Sequence, residues 1–215
     1  MFVYNRSVTN TVRFFGGYSM AKKGLTRDII IDAALVQIEE NGLSAFSLRN
    51  LAASMKIQVS SLYNHINGQN DLLAEVGIRA VDMLTEFEET ATMGKQRDDA
   101  LYALADAYRQ FAKEHTELYR IIMGVHILNI PMLESAAEKI VRPILCVLSE
   151  YGIDDDLQIH YQRLLRSIMH GFFEHENSGG FSDLSIDKDT SYHFSIGCVI
   201  TLLNSNRGEN VNESR

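Results

Sequence analysis

Residues Ser47–Leu73 read SLRNLAASMKIQVSSLYNHINGQNDLL. Ser47 is a side-chain acceptor set just ahead of Leu48, Leu51, Ala52 and Met55, which recur at spacings of three and four, the pattern of a capped amphipathic helix. Lys56–Gln58 interrupts that stripe. A second short helix follows, in which Leu62 and Ile66, four apart, share an inward face while Ser60, Ser61, Asn64 and His65 share the opposite one. Small polar side chains that bond phosphates and base edges suit a DNA groove, so the stretch predicts a helix-turn-helix.

Working outward, Thr26 to Asn41 predicts a preceding helix, with Thr26 as its cap and Ile31, Ala34, Leu35 and Ile38 as its buried stripe. Asn41-Gly42 ends it. Gly42-Leu43 with Phe46 matches a G-x-x-x-[TF]-[ST] approach to the next helix, Leu62-Tyr63-Asn64-His65-Ile66 is similar to an L-Y-x-H-F ending, and Leu72-Leu73 opens a further helix. Together these elements closely resemble the DNA-binding half of the TetR/AcrR family of bacterial transcriptional regulators. Several motifs in the right order over about 50 residues make a specific signal.

The resemblance assigns roles. Thr26 caps the first helix beside the DNA, Ser47 touches a phosphate, Arg49 reaches a base edge, and Tyr63 and His65 clamp phosphates on either side of the groove. Gln58 stands at the recognition-helix cap, where relatives usually carry Ser or Thr. For Val59 two readings stay open: periodicity buries it in a stripe 59, 62, 63, 66, whereas the family register exposes it to a thymine methyl. Ser60 and Ser61 either bond bases and phosphates or are simply small enough to admit the helix. Asn64 is the candidate for bidentate reading of adenine, against a merely solvated amide. Gln69 stands where many relatives carry Lys, with Lys22, Lys23 and Arg27 as possible compensation from the N-terminal arm.

The chain of 215 residues has a formal charge of −8. Residues 1–68 hold seven Lys/Arg against four Asp/Glu, a formal +3, and residues 69–215 hold thirteen against twenty-four, a formal −11. Only the front is basic, as a nucleic-acid reader requires. Residues 1–19 show neither a signal-peptide core nor a helical period, and Met20-Ala21-Lys22-Lys23 looks like a basic start, so 1–19 are expected to be an upstream or disordered extension. No apolar run approaches the ~20 residues that span a bilayer. No membrane association and a cytoplasmic location are therefore expected. Cys146 and Cys198 sit in apolar runs without a CxxC partner and are expected to be buried, inert thiols.

Past the reader the pattern is helical throughout, with candidates at Asn70 to Thr90, Asp98 to His115, Leu118 to Met123, Ser135 to Tyr151, Asp154 to Asn177 and Asp187 to Ser205. Pro143 predicts a kink or a late start in the fourth of these. The expected class is all-α: residues 20–68 as the DNA-binding domain and residues 69–215 as a helical bundle for effector binding and dimerisation. Arg163 to Gly180 resembles the family's WHG-type effector domain, with Met169-His170-Gly171 in place of Trp-His-Gly. Gly171 in mid-helix predicts a close helix approach, in the core or across a dimer interface. Phe111, Tyr119, Met123, His126, Tyr161, Met169, His170 and Phe173 are the effector-pocket candidates, each also readable as core.

Two other readings compete. His170 and Glu174 lie four apart on one helix face, with His126, His160, His175 and His193 elsewhere, which allows a metal-binding bundle, a sensor or an enzyme. The paired ExxH motifs of a di-iron bundle are absent, as are GxSxG, P-loop and HExxH. A helical interaction module without DNA binding is opposed by Arg49, Tyr63 and His65 falling together. The reading adopted is a homodimeric, non-enzymatic regulator without cofactor, a repressor on a palindromic double-stranded operator, released by a small molecule.

Overall fold

The computed structural model describes residues 24–124, 132–182 and 185–212. Among them are the helices α1 (Arg27–Asn41), α2 (Leu48–Ser54), α3 (Val59–Leu62), α4 (Gln69–Thr92), α5 (Arg97–Glu114), α6 (Thr116–Gly124), α7 (Met132–Ser149), α8 (Asp155–Asn177) and α9 (Lys188–Asn212), one 3-10 turn at Leu43–Ala45, and no strand. The all-α class follows from the uninterrupted helical period. The segment 1–19, Lys22, Lys23 and His126 lie outside the described residues. No helix among those described is long and apolar enough to cross a membrane.

Helix starts fall where short polar side chains can hold orphan amides. The Thr26 hydroxyl accepts the Ile29 N–H at 3.4 Å, Ser47 accepts Asn50 N–H at 3.1 Å, Asp154 accepts Leu157 N–H at 2.7 Å and Asp187 accepts Thr190 N–H at 2.9 Å. Gly42, at φ +82°, ends α1 with its N–H on the Ile38 carbonyl. α7 runs from Met132 through Pro143 to Ser149, so the helix starts well before the proline and not late.

The chain divides into two compact units, one built from the chain up to Ala80 and again from Glu114–Leu133, the other from Val81–Lys113 and Glu134 onward. α4 passes from one to the other at Ala80. The first unit buries Ile30, Ile31, Ala34, Leu35 and Ile38 of α1, Leu48, Leu51 and Ala52 of α2, Leu62 of α3, and Leu118, Tyr119, Ile121 and Ile122 of α6. α6 is tied to α1 by polar contacts from far along the chain: Glu39 Oε2 meets His115 Nδ1 at 2.7 Å, Glu39 Oε1 accepts the Leu118 N–H, and Glu117 Oε2 accepts the Leu43 N–H at 3.0 Å.

The second unit buries Leu101, Leu104, Tyr108 and Phe111 of α5, Ile144 and Leu148 of α7, Leu165, Met169 and Phe173 of α8, and Tyr192, Ile196 and Leu203 of α9. The two thiols correct the sequence expectation: Cys146 and Cys198 are exposed. Each sits one position before a buried pair, Val147-Leu148 and Val199-Ile200, and about 100° of helical rotation per residue turns it away from the core. At Gly171 a built Cβ meets no described atom within 4 Å, which goes against the core alternative of the expected close approach and leaves the dimer alternative; the tight approach is at Gly197, whose Cβ would lie 2.8 Å from the Tyr102 hydroxyl.

Arg109 pins α5 to α8 and α9. Its Nε and Nη2 donate to the two Glu176 carboxylate oxygens at 2.9 Å each, Nη1 meets Asp189 Oδ1 at 2.9 Å, and its guanidinium lies 4.7 Å from the Tyr192 ring centroid. Burial pushes the Glu176 carboxyl up, but hydrogen bonds from Arg109 and Lys113 outweigh it and hold the pKa below its ordinary value. A carboxylate lowered in this way contributes stability above the ordinary value of 4.5 that is lost as pH falls through the folded-state value. Arg109→Leu is expected to destabilise the second unit by about 2–3 kcal/mol at pH 7, since it leaves Lys113 as the remaining cation on a half-buried carboxylate. Chemical denaturation at a series of pH values checks this, with the deficit shrinking as pH falls from 4.5 through the folded-state value.

Candidate nucleic-acid interface

α2 ends in a turn that few sequences announce. Met55 is the C-cap, Lys56 takes φ +57°, its N–H bonds the Ala53 carbonyl at 3.1 Å, and the Ile57 N–H bonds the Ala52 carbonyl at 3.0 Å. That is a Schellman closure with lysine in the left-handed position glycine usually takes, at a cost of order 1 kcal/mol. The turn buries Met55 and aims the following segment across α2.

The recognition segment is shorter than its sequence period suggests. Only Val59–Leu62 is α-helical, preceded by Gln58 in extended conformation, whose side chain makes no capping bond. Beyond it the coil tightens: His65 N–H and Ile66 N–H both reach the Leu62 carbonyl, at 2.8 and 3.1 Å. Leu62 and Ile66 are buried as their four-residue spacing predicts. Tyr63 is 57% exposed, which breaks the 59, 62, 63, 66 stripe that periodicity alone offers, and Val59 is half-buried. Gln58, Ser60 and Asn64 are exposed, and Ser61 and His65 half-buried.

On α2, Arg49 and Asn50 are exposed, and the Asn50 side-chain amide is held by the Ala45 carbonyl at 3.1 Å. Among the described residues, none holds the Arg49 side chain by a hydrogen bond or ion pair. Ser47 caps α2 by accepting a hydrogen bond, which leaves its hydroxyl hydrogen for an outside acceptor. Thr26 is exposed at the start of α1.

Arg27 has a task its position in the N-terminal arm does not reveal. Its Nη1 donates to the His65 carbonyl at 2.8 Å, and Nη2 donates to Asp71 Oδ2 at 3.0 Å and Glu75 Oε1 at 2.9 Å. A guanidinium so engaged joins α1, the end of the recognition segment and the first turns of α4, and is no longer a loose charge that could replace a missing lysine at position 69. Asp71 also accepts the Asn67 N–H at 3.0 Å. That bond, followed by the Arg27 charge, holds the Asp71 carboxyl below its ordinary value against burial. Periodicity could not show this clamp, because its partners lie 38 to 48 residues away.

The effector candidates divide between the units. Tyr119, buried, and Met123, half-buried, belong to α6 in the first unit; Phe111, Tyr161, Met169 and Phe173, all buried, and His170, half-buried, belong to the second. The Tyr161 hydroxyl accepts from Asn206 at 2.7 Å. Among the described residues no group of three or more His, Cys, Asp or Glu is placed to hold a metal ion.

This is a helix-turn-helix protein with a second, helical unit. Residues 30–83 match the model of bacterial regulatory proteins of the tetR family, and residues 101–199 match the tetracyclin repressor-like C-terminal domain. The chain is 34% identical over 155 residues to the uncharacterized HTH-type transcriptional regulator YobS of Bacillus subtilis (strain 168), covering 69% of this chain and 78% of that protein. It is 30% identical over 167 residues to an uncharacterized HTH-type transcriptional regulator of Mycobacterium tuberculosis, covering 76% and 75%. A protein of unknown function from Rhodococcus sp. RHA1 shares the fold with a TM-score of 0.74 at 19% identity over 86% of this chain and 98% of its own. Apo ActR from Streptomyces coelicolor does so with a TM-score of 0.63 at 21% identity over 88% and 100%. The chain belongs to the tetR family of bacterial regulatory proteins and is a DNA-binding regulator of transcription.

Arg27→Gln is expected to weaken binding to operator and random DNA by the same factor, about tenfold, because it loosens the frame and removes no base contact. Fluorescence anisotropy on both DNAs checks the factor, and faster amide exchange around Ile66 and Asn67 would report the loosened segment.

Proposed function

We propose that the chain is a homodimeric repressor that occupies a palindromic operator and leaves it when a small molecule binds the second unit. The observation that carries this is the exposed row Arg49, Ser60, Tyr63 and Asn64 on a reader whose turn and clamp are otherwise fully engaged. Arg49 would read a base edge, most economically a guanine; Asn64 would read adenine; Ser47, Tyr63 and His65 would hold phosphates. Thr26, Gln58, Val59, Ser60 and Ser61 complete the proposed contact face.

A recognition helix of one turn reads too few base pairs for a specific site, so two readers spaced by ~34–36 Å are what the groove geometry requires. Support for a dimer built on α8 and α9 comes from their uncovered apolar side chains: Phe194 is 73% exposed, Leu202 53%, Ile159 43% and Leu164 41%. The open space around Gly171 fits the same reading.

For the effector, ActR, which shares the fold, is known in complexes with (S)-DNPA and with actinorhodin. In this chain Phe111, Tyr161, Met169, His170 and Phe173 would line the ligand site, with Tyr119 and Met123 on α6 relaying its occupancy. α4 runs through both units, and α6 carries Glu117 and follows His115, the partners of Leu43 and Glu39. A ligand releases DNA only by binding the released form more tightly than the bound one, so ligand and operator must weaken each other by the same factor.

Arg49→Ala is expected to lose ~1–3 kcal/mol of discrimination at one base position, whereas Tyr63→Phe weakens all sequences alike. Anisotropy on operator and single-base variants separates the two, and equal losses on operator and random DNA for Arg49→Ala would make it a phosphate contact. Phe194→Glu is expected to convert dimer to monomer at micromolar concentration by light scattering, with specific binding falling at least tenfold.

A further inference from the structure

α4 carries two buried oxygens that no described residue answers. Thr85 is 6% exposed and Glu88 1%, and Thr85 Oγ1 and Glu88 Oε2 have no hydrogen-bond partner among the described residues. Three residues apart, they lie on one face of the helix, with Cβ atoms ~5–6 Å apart.

The threonine is the more telling. Elsewhere in these helices hydroxyls fold back onto a carbonyl one turn earlier: Thr92 onto Glu88, Ser167 onto Arg163, Ser195 onto Ser191, Thr201 onto Gly197 and Ser205 onto Thr201. That bond was open to Thr85 and is not made. A buried hydroxyl and a buried carboxyl left unanswered together are each costly, and native interiors rarely keep such a pair without something to fill it.

The geometry points to a ligand-recognition site for an organic nitrogen base, whose protonated amine or amidine would present two N–H donors, one to Glu88 Oε2 and one to Thr85 Oγ1. This rests on the reading of the second unit as the ligand-holding part and gives that ligand a chemical class. Two free acceptors one turn apart fit a group with several donors, and neutralising a buried carboxylate requires positive charge.

The ionisable groups acting on Glu88 are Arg166 of α8, Tyr192 of α9 and Glu89 of its own helix. Burial raises the Glu88 carboxyl far above its ordinary value; Arg166 draws it down, Glu89 pushes it up, and burial prevails. A carboxyl raised in this way holds its proton more firmly than an exposed one, and a cation bound beside it favours the proton's release. Binding of the base is then coupled to proton release, and its affinity rises with pH below the folded-state value.

Hexylamine, benzylamine and benzamidine titrated into the purified full chain test this, against hexanol, benzyl alcohol and hexanoate. At least one base should bind about tenfold more tightly than its alcohol, and heats measured in buffers of different ionisation enthalpy should report proton release on binding. Glu88→Gln should cut that affinity at least tenfold and abolish proton release; Thr85→Val should cut it several-fold with proton release retained. Thermal melts of both variants confirm that they are folded. Equal binding of base and alcohol unchanged by Glu88→Gln overturns the inference, as does preference for hexanoate. Failure of all three bases to bind overturns it too and leaves buried water as the partner of the two oxygens. Operator binding by the wild-type chain, measured in parallel, separates the failures: operator binding without base binding removes only the ligand class, and base binding without operator binding removes the repressor.

Discussion

A helix of one turn cannot hold itself, since nucleation fixes several residues for one hydrogen bond. Val59–Leu62 is such a helix, so the reader's geometry depends on what grips it from outside. Three grips are present. Leu62 and Ile66 are buried beneath it, the left-handed Lys56 closes α2 and sets the direction of entry, and the Arg27 guanidinium holds the His65 carbonyl where the segment leaves. The outer side chains are then free to face a ligand, because none of them is needed to keep the segment in place.

The second unit handles buried charge in two opposite ways. Arg109 is fully answered by Glu176, Asp189 and an aromatic ring, and its network closes α5, α8 and α9 into one body. Glu88 sits deeper, and among the described residues no hydrogen bond answers its Oε2. A satisfied ion pair fixes architecture, while an unsatisfied acid stores free energy that a suitable partner can recover.

Residues far apart in sequence do most of the joining in the first unit. Glu39 and Glu117 reach across 74 to 79 residues to hold backbone N–H groups at Leu118 and Leu43. Each carboxylate satisfies an amide that its own helix or turn leaves orphaned, so α1 and α6 complete one another's hydrogen bonding.

The sequence by itself determined the elements and their faces. Thr26, Ser47, Asp154 and Asp187 start helices because short polar side chains accept orphan amides, and the spacing of Ile31, Leu35, Leu51 and Leu62 marks the core because the helical period is fixed. Tertiary structure decided what depends on partners from distant segments or on rotation about a helix axis. An apolar run could not say which of its members turns outward, as Cys146 and Cys198 do, nor could charge in an N-terminal arm say that Arg27 faces inward to His65, Asp71 and Glu75. Glu88 is one more carboxylate in an acidic sequence; only packing buries it, because desolvation belongs to the assembled core and not to the residue.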